Sequence, residues 1–268
     1  MIIYGHRGAK GEAPENTLAG FEHAYRHGIR RFEFDLVLAG DGHPVVIHDL
    51  TLERTTGKPG KVSEHTVDEL SRMDARHSVA KWSTATGIPS LEGVLAAIPD
   101  FDHLQLEVKS DKRNRLNVLA NRLTELIQRH DLYQRVVVTS ADTWFLQEIH
   151  RRDRRVQIGV VVDRRFPKPT TVAKRLSCSF LILNWKLCSQ ALVAEAHRHD
   201  LHVSTWTVNR IHDMLELESQ GVDSIITDFP TSTKIFFDNR TGALPHPPLK
   251  PEPEGNNDSE LSSLSVSE

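Results

Sequence analysis

The sequence has few cysteines, no long apolar run and little net charge. Its 268 residues include two cysteines, Cys178 and Cys188, which are too few for a disulfide framework. No segment approaches the roughly 18 consecutive apolar residues of a membrane-spanning helix. The formal net charge of −3 gives no bulk attraction to nucleic acid or to an anionic membrane. We therefore expect no nucleic-acid partner and no stable membrane insertion.

The N-terminal segment, MIIYGHRG, has neither the basic start nor the apolar stretch of a secretory signal. A cytoplasmic location is the resulting expectation. The two cysteines lie in apolar surroundings, and we interpret them as small residues in or near the core.

Eight short runs rich in β-formers alternate with helix-like segments, which predicts parallel βαβ units. The predicted strands are residues 2–5, 30–38, 104–109, 135–140, 156–162, 180–184, 201–208 and 224–228. The predicted helices are residues 17–28, 90–99, 115–130, 141–152, 169–176, 189–200, 210–221 and 230–238. Eight such units indicate an α/β fold of the (β/α)₈ TIM-barrel type. The alternative is an open doubly wound sheet, which is disfavoured because no GxGxxG follows the first strand.

The domain boundaries follow from loop length and composition. Residues 1–240 are predicted to form one domain, with a small insertion after the second strand at about 39–103, since loops this long are usually functional or separately structured. Residues 43–48 look like one extra strand within it. Residues 241–268 are rich in proline and serine and carry one lysine against five acidic residues, which predicts a disordered acidic tail.

Two carboxylates share one face of the second predicted strand. Glu33 and Asp35 are two positions apart in FEFDL, so they point the same way, and they face the barrel axis if Phe32 and Phe34 face the helices. Neighbouring buried carboxylates repel each other and need a cation. Oxygen ligands favour Mg²⁺ or Ca²⁺. The alternative is an edge strand with its acids in solvent.

The third predicted strand repeats this arrangement in LEVK. Glu107 and Lys109 share one face, so Glu107 could complete a site of three carboxylates and Lys109 could meet an anion. A plain internal salt bridge is the alternative for this pair.

Three further residues lie at or just after the ends of predicted strands, on the side of the barrel where we expect the carboxylates. His6 and Arg7 follow the first strand, and His48 ends the extra strand in VVIH. Gly5 and Gly8 flank the first pair and would let the backbone approach a ligand. Two proton-exchanging histidines, anion-holding cations and a metal together describe metal-assisted cleavage of a phosphate ester.

A set of motifs spanning residues 2–230 resembles the glycerophosphodiester phosphodiesterase family, in its bacterial cytosolic form. The motifs are HRGAKGEAPENT (6–17), EFD (33–35), DGHPVVIHD (41–49), LERTTG (52–57), IPSLEGVL (88–95), LEVK (106–109), WTVN (206–209) and GVDSIITDFP (221–230). The resemblance implies a (β/α)₈ barrel that hydrolyses a small-molecule glycerophosphodiester to sn-glycerol 3-phosphate and an alcohol. Attack by the glycerol 2-hydroxyl, through a cyclic phosphate, is a hypothesis for the route.

The resemblance also implies a role for each residue of the site. His6 and His48 would be the acid–base pair, and Glu33, Asp35 and Glu107 would hold one divalent cation, Mg²⁺ or Ca²⁺. The implied substrate or phosphate contacts are Arg7, Lys109, Glu15, Asn16 and Trp206. Trp206 would offer an apolar wall, with ordinary core packing as the alternative.

Two other functions remain open. A related barrel phosphodiesterase acting on lysophospholipids would share the metal and histidine chemistry. A catalytically silent binding barrel would be expected to lack a histidine or a carboxylate, and none is missing. The sequence leaves open the alcohol head group, the choice of cation and the oligomeric state.

Overall fold

A computed structural model of the protein describes residues 1–79 and 81–241 and shows a closed barrel. Its strands are β1 Ile2–His6, β2 Arg31–Leu38, β3 Pro44–Val46, β4 His103–Val108, β5 Val136–Ser140, β6 Gln157–Val162, β7 Phe180–Asn184, β8 His202–Trp206 and β9 Ser224–Thr227. Eight of them pair in parallel in the circular order β1-β2-β4-β5-β6-β7-β8-β9, and β9 returns to β1. This closure confirms the (β/α)₈ barrel and excludes the open sheet.

Helices surround the barrel and also lie within the insertion between β2 and β4. They are α1 Leu18–Arg26, α2 Glu53–Thr56, α3 Val67–Ser71, α4 Leu91–Ala97, α5 Arg113–Arg129, α6 Thr143–Arg152, α7 Pro169–Leu176, α8 Gln190–His197, α9 Ile211–Ser219 and α10 Pro230–Thr241. The helices of the insertion are α2, α3 and α4. The helices pack on the barrel through apolar faces, as α5 illustrates. Its buried residues Leu116, Leu119, Leu123 and Ile127 recur at helical spacing. The polar remainder of α5 faces solvent.

Alternation along the strands separates an outer core from an inner one. Phe32, Phe34 and Leu106 belong to the outer core, between the sheet and the helices. Tyr4, Val137, Phe180, Ile182 and Ile226 form a separate apolar cluster drawn from several different strands, which fills the barrel interior. Glu33, Asp35 and Glu107 lie on the opposite face of β2 and β4, which faces the barrel interior.

The insertion between β2 and β4 has its own small core. Strand β3 pairs antiparallel with the end of β2, outside the closed barrel. The buried apolar residues of this core are Val37, Ala39, Val45, Ile47, Leu52, Val62, Leu70, Ala75 and Ile88. The extra strand is shorter than predicted, so His48 lies in the bend after β3 rather than at the end of the strand.

Both cysteines are unpaired and half-buried against the outer core, and burial raises the pKa of each thiol to about 12. Within the described ranges, every helix is too short or too polar to traverse a bilayer. The predicted tail at 241–268 lies outside the described residues except for Thr241, the last residue of α10. Its disorder and the 1–240 domain boundary stay predictions.

Candidate active site

Three carboxylates converge where β2 and β4 end at one rim of the barrel. Strand pairing places Asp35 directly opposite Glu107, and Glu33 lies two residues earlier on the same face. One oxygen from each of Glu33, Asp35 and Glu107 lies within 4.8 Å of the other two. The structure thus brings together the three side chains that the sequence nominated as metal ligands.

Cations and an amide surround Asp35, the most buried of the three. Lys109 Nζ lies 2.8 Å from Asp35 Oδ1 and 2.6 Å from Glu107 Oε1. Arg7 Nε lies 2.9 Å from Asp35 Oδ2, and Asn16 Nδ2 donates a hydrogen bond of 2.9 Å to the same oxygen. Lys109 and Arg7 together outweigh the effect of burial, which alone would raise the pKa of Asp35, and they hold that pKa below its ordinary value.

The surroundings of Glu33 shift its pKa in the direction opposite to that of Asp35. Burial raises the pKa of Glu33 well above its ordinary value, and the charges of Asp35 and Glu107 raise it further. Its buried Oε2 atom has no hydrogen-bond partner. This orphaned buried carboxylate oxygen, together with the two neighbouring carboxylates, forms a set of hard oxygen donors. The donor set therefore fits one divalent ion.

Burial alone would lower the pKa of Lys109, but Asp35 and Glu107 outweigh it and raise that pKa to about 12. Lys109 is therefore a permanent cation in this site. Its side chain is 18% exposed and lines the cavity, so an anion entering there can reach it.

His6 ends β1 with one ring nitrogen occupied and the other facing the carboxylates. Its Nδ1 lies 2.5 Å from Asp228 Oδ1, and its Nε2 lies 3.7 Å from Glu33 Oε2. Burial lowers the pKa of His6 in spite of the nearby Asp228. A buried imidazole that is mostly neutral and has one free nitrogen can accept or return a proton.

His48 also has a carboxylate on Nδ1. Its Nδ1 lies 2.6 Å from Asp49 Oδ1, and Asp49 accepts a hydrogen bond of 2.5 Å from Arg54 Nε. Arg54 continues to Glu15 through two hydrogen bonds of 2.8 and 2.9 Å, and Glu15 accepts another from Arg7 at 2.8 Å. A continuous chain of charge-assisted hydrogen bonds therefore links His48 to Arg7.

Glu15 and Asn16, predicted as substrate contacts, form hydrogen bonds that support the charged residues of the site. Glu15 is 4% exposed and bridges Arg7 and Arg54, while Asn16 is 3% exposed and donates to Asp35. From these buried positions, Glu15 and Asn16 fix the side-chain orientations of Arg7 and Asp35. That Glu15 and Asn16 also touch substrate stays a prediction.

The two glycines beside His6 and Arg7 serve backbone packing. A Cβ atom on Gly5 would lie 2.2 Å from the carbonyl oxygen of Gly8. Gly8 has a φ of +88°, and a Cβ there would meet the carbonyl carbon of Gly20 at 2.9 Å. Close backbone packing therefore requires glycine at both positions, and an approach to a ligand stays a prediction.

A cavity of about 460 Å³ opens onto these groups. His6, Arg7, Glu33, His48, Glu107 and Lys109 line one side of it. Val161, Ile182, Trp206 and Ile226 add an apolar wall to the same cavity. Trp206 also packs against the inner apolar cluster, and its contact with a substrate stays a prediction. A cavity of about 520 Å³ lies outside the barrel, between α5 and the insertion, and none of the predicted site residues lines it.

Four residues of the network were not predicted as site residues, and one of them, Asp49, ends the quoted motif DGHPVVIHD. Asp228 and Asn209 stand in the quoted motifs GVDSIITDFP and WTVN, each just past the end of a strand, and Arg54 stands in LERTTG. Asp228 or Thr227 looks from sequence like the N-cap of the last helix. In the structure, the side chain of Glu12 acts as a cap at the start of α10, because it accepts hydrogen bonds from the backbone N–H groups of Thr231 and Ser232. For Asp228 and Asn209, the position just after a predicted strand is the feature of the sequence that could have identified them as site residues.

The comparison with protein families is decisive. Residues 6–232 match the model of the glycerophosphoryl diester phosphodiesterase family. The chain belongs to this family. It is therefore an enzyme of the phosphoric diester hydrolase class, and the resemblance seen in its motifs is confirmed.

Individual relatives agree with this family assignment. A glycerophosphodiester phosphodiesterase of Caldanaerobacter subterraneus is 31% identical over 230 residues, covering 85% of this chain and 94% of the relative. A phosphodiesterase of Oleispira antarctica, solved with the product sn-glycerol-3-phosphate, superposes with a TM-score of 0.79 at 25% identity and covers 89% of this chain and 97% of that one. A lysophospholipase D of Rattus norvegicus is 25% identical over 272 residues, covering 87% of this chain and 85% of the relative.

Proposed function

We propose that the protein hydrolyses a glycerophosphodiester to sn-glycerol 3-phosphate and an alcohol, with a divalent cation and two histidines. The single observation that carries this proposal is the shared cavity wall, in which His6, His48, Arg7, Lys109 and the carboxylate cluster face one space. The product bound to the Oleispira antarctica relative supports the same substrate class.

Arg7 and Lys109 are proposed to bind the phosphate. Both line the cavity, and each already balances Asp35, so their side chains are held in place before a substrate arrives. Such preorganised cations stabilise the charge that grows on the non-bridging oxygens in the transition state. The planar Arg7 guanidinium can in addition bind two oxygens at once.

Glu33, Asp35 and Glu107 are proposed to hold the cation, which is Mg²⁺ or Ca²⁺ by the chemistry of its oxygen ligands. When bound, this ion supplies a Lewis acid for the phosphoryl oxygens. The protein contributes the orientation of Asp35, because Lys109 contacts one of its oxygens and Asn16 donates a hydrogen bond to the other.

His6 and His48 are proposed to share the proton transfers. One imidazole takes the proton of the attacking hydroxyl, and the other gives a proton to the leaving alkoxide. The two differ in exposure, since the His6 side chain is 9% exposed and that of His48 is 34% exposed. The more open His48 is the better placed to return its proton to solvent after each turnover.

The apolar wall favours one second candidate, a lysophospholipid substrate. Val161, Ile182 and Ile226 offer no hydrogen bonds, so they suit a hydrocarbon better than a polar head group. The lysophospholipase D among the relatives supports this candidate. A cytoplasmic location remains a prediction, and the oligomeric state stays open.

A coupled assay for glycerol 3-phosphate tests the proposal. Choline, ethanolamine and glycerol diesters and a lysophospholipid are each supplied with Mg²⁺, Ca²⁺ or EDTA. We expect hydrolysis of at least one glycerodiester that EDTA abolishes, and a loss in kcat of about 10²- to 10⁴-fold in His48→Ala with the melting temperature unchanged. Full activity in EDTA would exclude the cation, and wild-type turnover by His48→Ala would remove that residue from the reaction. Release of a lysophosphatidic acid alone, detected by mass spectrometry because this product gives no glycerol 3-phosphate, would favour the second candidate.

A further inference from the structure

The hydrogen bonds around His6 continue beyond Asp228 to a residue on another strand end. Asp228 Oδ1 lies 2.5 Å from His6 Nδ1, and Asp228 Oδ2 accepts a hydrogen bond of 2.7 Å from Asn209 Nδ2. These three residues lie at the ends of β1, β9 and β8, which are neighbours in the closed barrel. His6 and Asp228 are 222 positions apart in the chain, so only barrel closure brings them together.

The direction of each hydrogen bond can be read from donors whose identity is fixed. Asn209 Oδ1 accepts from the backbone N–H of Asp228 at 2.9 Å and from Thr227 Oγ1 at 3.2 Å. A backbone N–H can only donate, so the oxygen of the Asn209 amide must point toward it. The Asn209 NH₂ group must then point toward Asp228 Oδ2 as a donor.

The same reasoning extends to the imidazole. A carboxylate only accepts, so Asp228 requires a proton on Nδ1 of His6. In the neutral ring the second nitrogen, Nε2, then carries a lone pair and no proton. Nε2 is the nitrogen nearest Glu33, and both residues line the cavity.

We propose that Asp228, oriented by Asn209, is a positioning residue that fixes His6 in the Nδ1–H form with Nε2 available to the reacting phosphodiester. The reaction itself rests on the function proposed above. Nε2 accepts the proton of a hydroxyl, whose bonding electron pair stays on the oxygen, or donates that proton back from the imidazolium. Without Asp228 the proton could settle on Nε2, and a neutral ring in that form cannot act as a base there.

The hydrogen-bond pattern predicts how Asp228→Asn changes the position of the proton on the His6 ring. In Asp228→Asn, the amide oxygen is drawn to the Asn209 NH₂ group, which leaves the new NH₂ group facing His6 Nδ1. That nitrogen must then accept, which moves the proton to Nε2. The paired exchange Asp228→Asn with Asn209→Asp restores the pattern. The carboxylate introduced at position 209 accepts from the new amide, which frees the amide oxygen for the Nδ1–H group of His6.

An aspartate–histidine pair away from the catalytic cavity provides a matched control. His197 Nε2 lies 2.9 Å from Asp223 Oδ2, and neither residue lines the catalytic cavity. Asp223→Asn makes the same chemical change in that pair. It controls for any general effect of removing a carboxylate from a histidine.

The experiment combines ¹⁵N NMR of the His6 ring in alkaline buffer with steady-state kinetics and melting temperatures. We expect the Nδ1–H form in the wild type, the Nε2–H form in Asp228→Asn, and the Nδ1–H form again in the paired exchange. The kcat of Asp228→Asn should fall about 10²- to 10⁴-fold with KM within a few-fold, and the paired exchange should recover most of that loss. Asp223→Asn should keep its kcat.

A cycle with His6→Ala separates positioning from a merely structural role. If Asp228 acts through His6, then Asp228→Asn should change the residual kcat of His6→Ala by less than about threefold. An equal loss in both backgrounds, or an unchanged His6 tautomer in Asp228→Asn, would overturn the proposal. If the wild type hydrolysed no diester at all, the proposed function would fail, while the NMR comparison would still decide how His6 is held.

Discussion

The ammonium group of Lys109, which lines the catalytic cavity, lies 2.8 Å from Asp35 Oδ1. The same nitrogen lies 2.6 Å from Glu107 Oε1, so Lys109 contacts two of the three proposed metal ligands. It is also the proposed contact of the substrate phosphate. On this proposal Lys109 repels the cation and attracts the anion, and the two effects can be separated by experiment.

Lys109→Met should bind the divalent cation more tightly and hydrolyse substrate more slowly. Loss of a charge at contact distance from the ligands should tighten cation binding on the order of 10-fold. Loss of a phosphate contact should lower kcat/KM about 10²- to 10³-fold. Metal titration by calorimetry and the glycerol 3-phosphate assay measure the two effects. Lys112→Met, just before α5, is the control and should change neither. Weaker cation binding in Lys109→Met would show that Lys109 organises the ligands rather than competing with the ion.

Glu33→Gln should abolish the stabilisation that a divalent cation gives, without destabilising the cation-free protein. Glu33 has a buried oxygen without a hydrogen-bond partner, and burial with two neighbouring carboxylates raises its pKa. A neutral amide removes that repulsion, so the melting temperature in EDTA should stay equal or rise. A cation at 100 times its Kd stabilises the wild type by about 2.7 kcal/mol, and most of this should be lost.

Thermal melts across a titration of Mg²⁺ or Ca²⁺ measure this effect. Asp163→Asn, which removes an exposed carboxylate at the same cavity, is the matched control and should keep the full cation-dependent shift. A full shift in Glu33→Gln would move the cation away from the three carboxylates.

Truncation after Thr241 should leave kcat and the melting temperature unchanged. The groups of the proposed reaction lie between His6 and Asp228, and α10 ends the described chain at Thr241. The acidic, proline-rich composition of the residues beyond predicts that they add little to the core. The truncated and full chains would be compared in the same assay and melt. A loss of more than about 10-fold in kcat would give the tail a role at the site.

The carboxylate cluster could be predicted from sequence because strand alternation fixes which side chains share a face. Phe32 and Phe34 alternate with Glu33 and Asp35, and only one of these sets can face the helices. The partners of the histidines could not be predicted in this way. Asp228 reaches His6 through the pairing of the last strand with the first, and its sequence neighbours suggested a helix cap. Arg54 reaches Glu15 from the insertion, whose path follows its own small core.

The N-terminal end of the barrel should make the protein sensitive to acid through His103. The His103 ring packs against Phe180 with centroids 5.5 Å apart, and its Nδ1 lies 3.0 Å from the Tyr4 hydroxyl. Burial, with smaller contributions from His202 and Arg31, lowers the pKa of His103 from 6.5 to about 4.

The sign of the effect follows from proton linkage. Below pH 6.5 the unfolded chain binds a proton at this position and the folded chain does not, so stability falls until the pH reaches about 4. Between neutral pH and pH 5 the loss from this one group is about 2 kcal/mol. His103→Gln keeps a hydrogen-bonding group beside Tyr4 but does not titrate, so its stability should fall by correspondingly less over that range.

Urea unfolding at pH 7 and pH 5 measures this difference. The control is His212→Gln, since the His212 side chain is 80% exposed and its loss should leave the wild-type pH dependence intact. Carboxylates and the histidines other than His202, whose charge acts on His103, titrate alike in all three proteins, so they cancel in the comparison. If His103→Gln lost as much stability as the wild type between the two pH values, the acid sensitivity would have to come from another group.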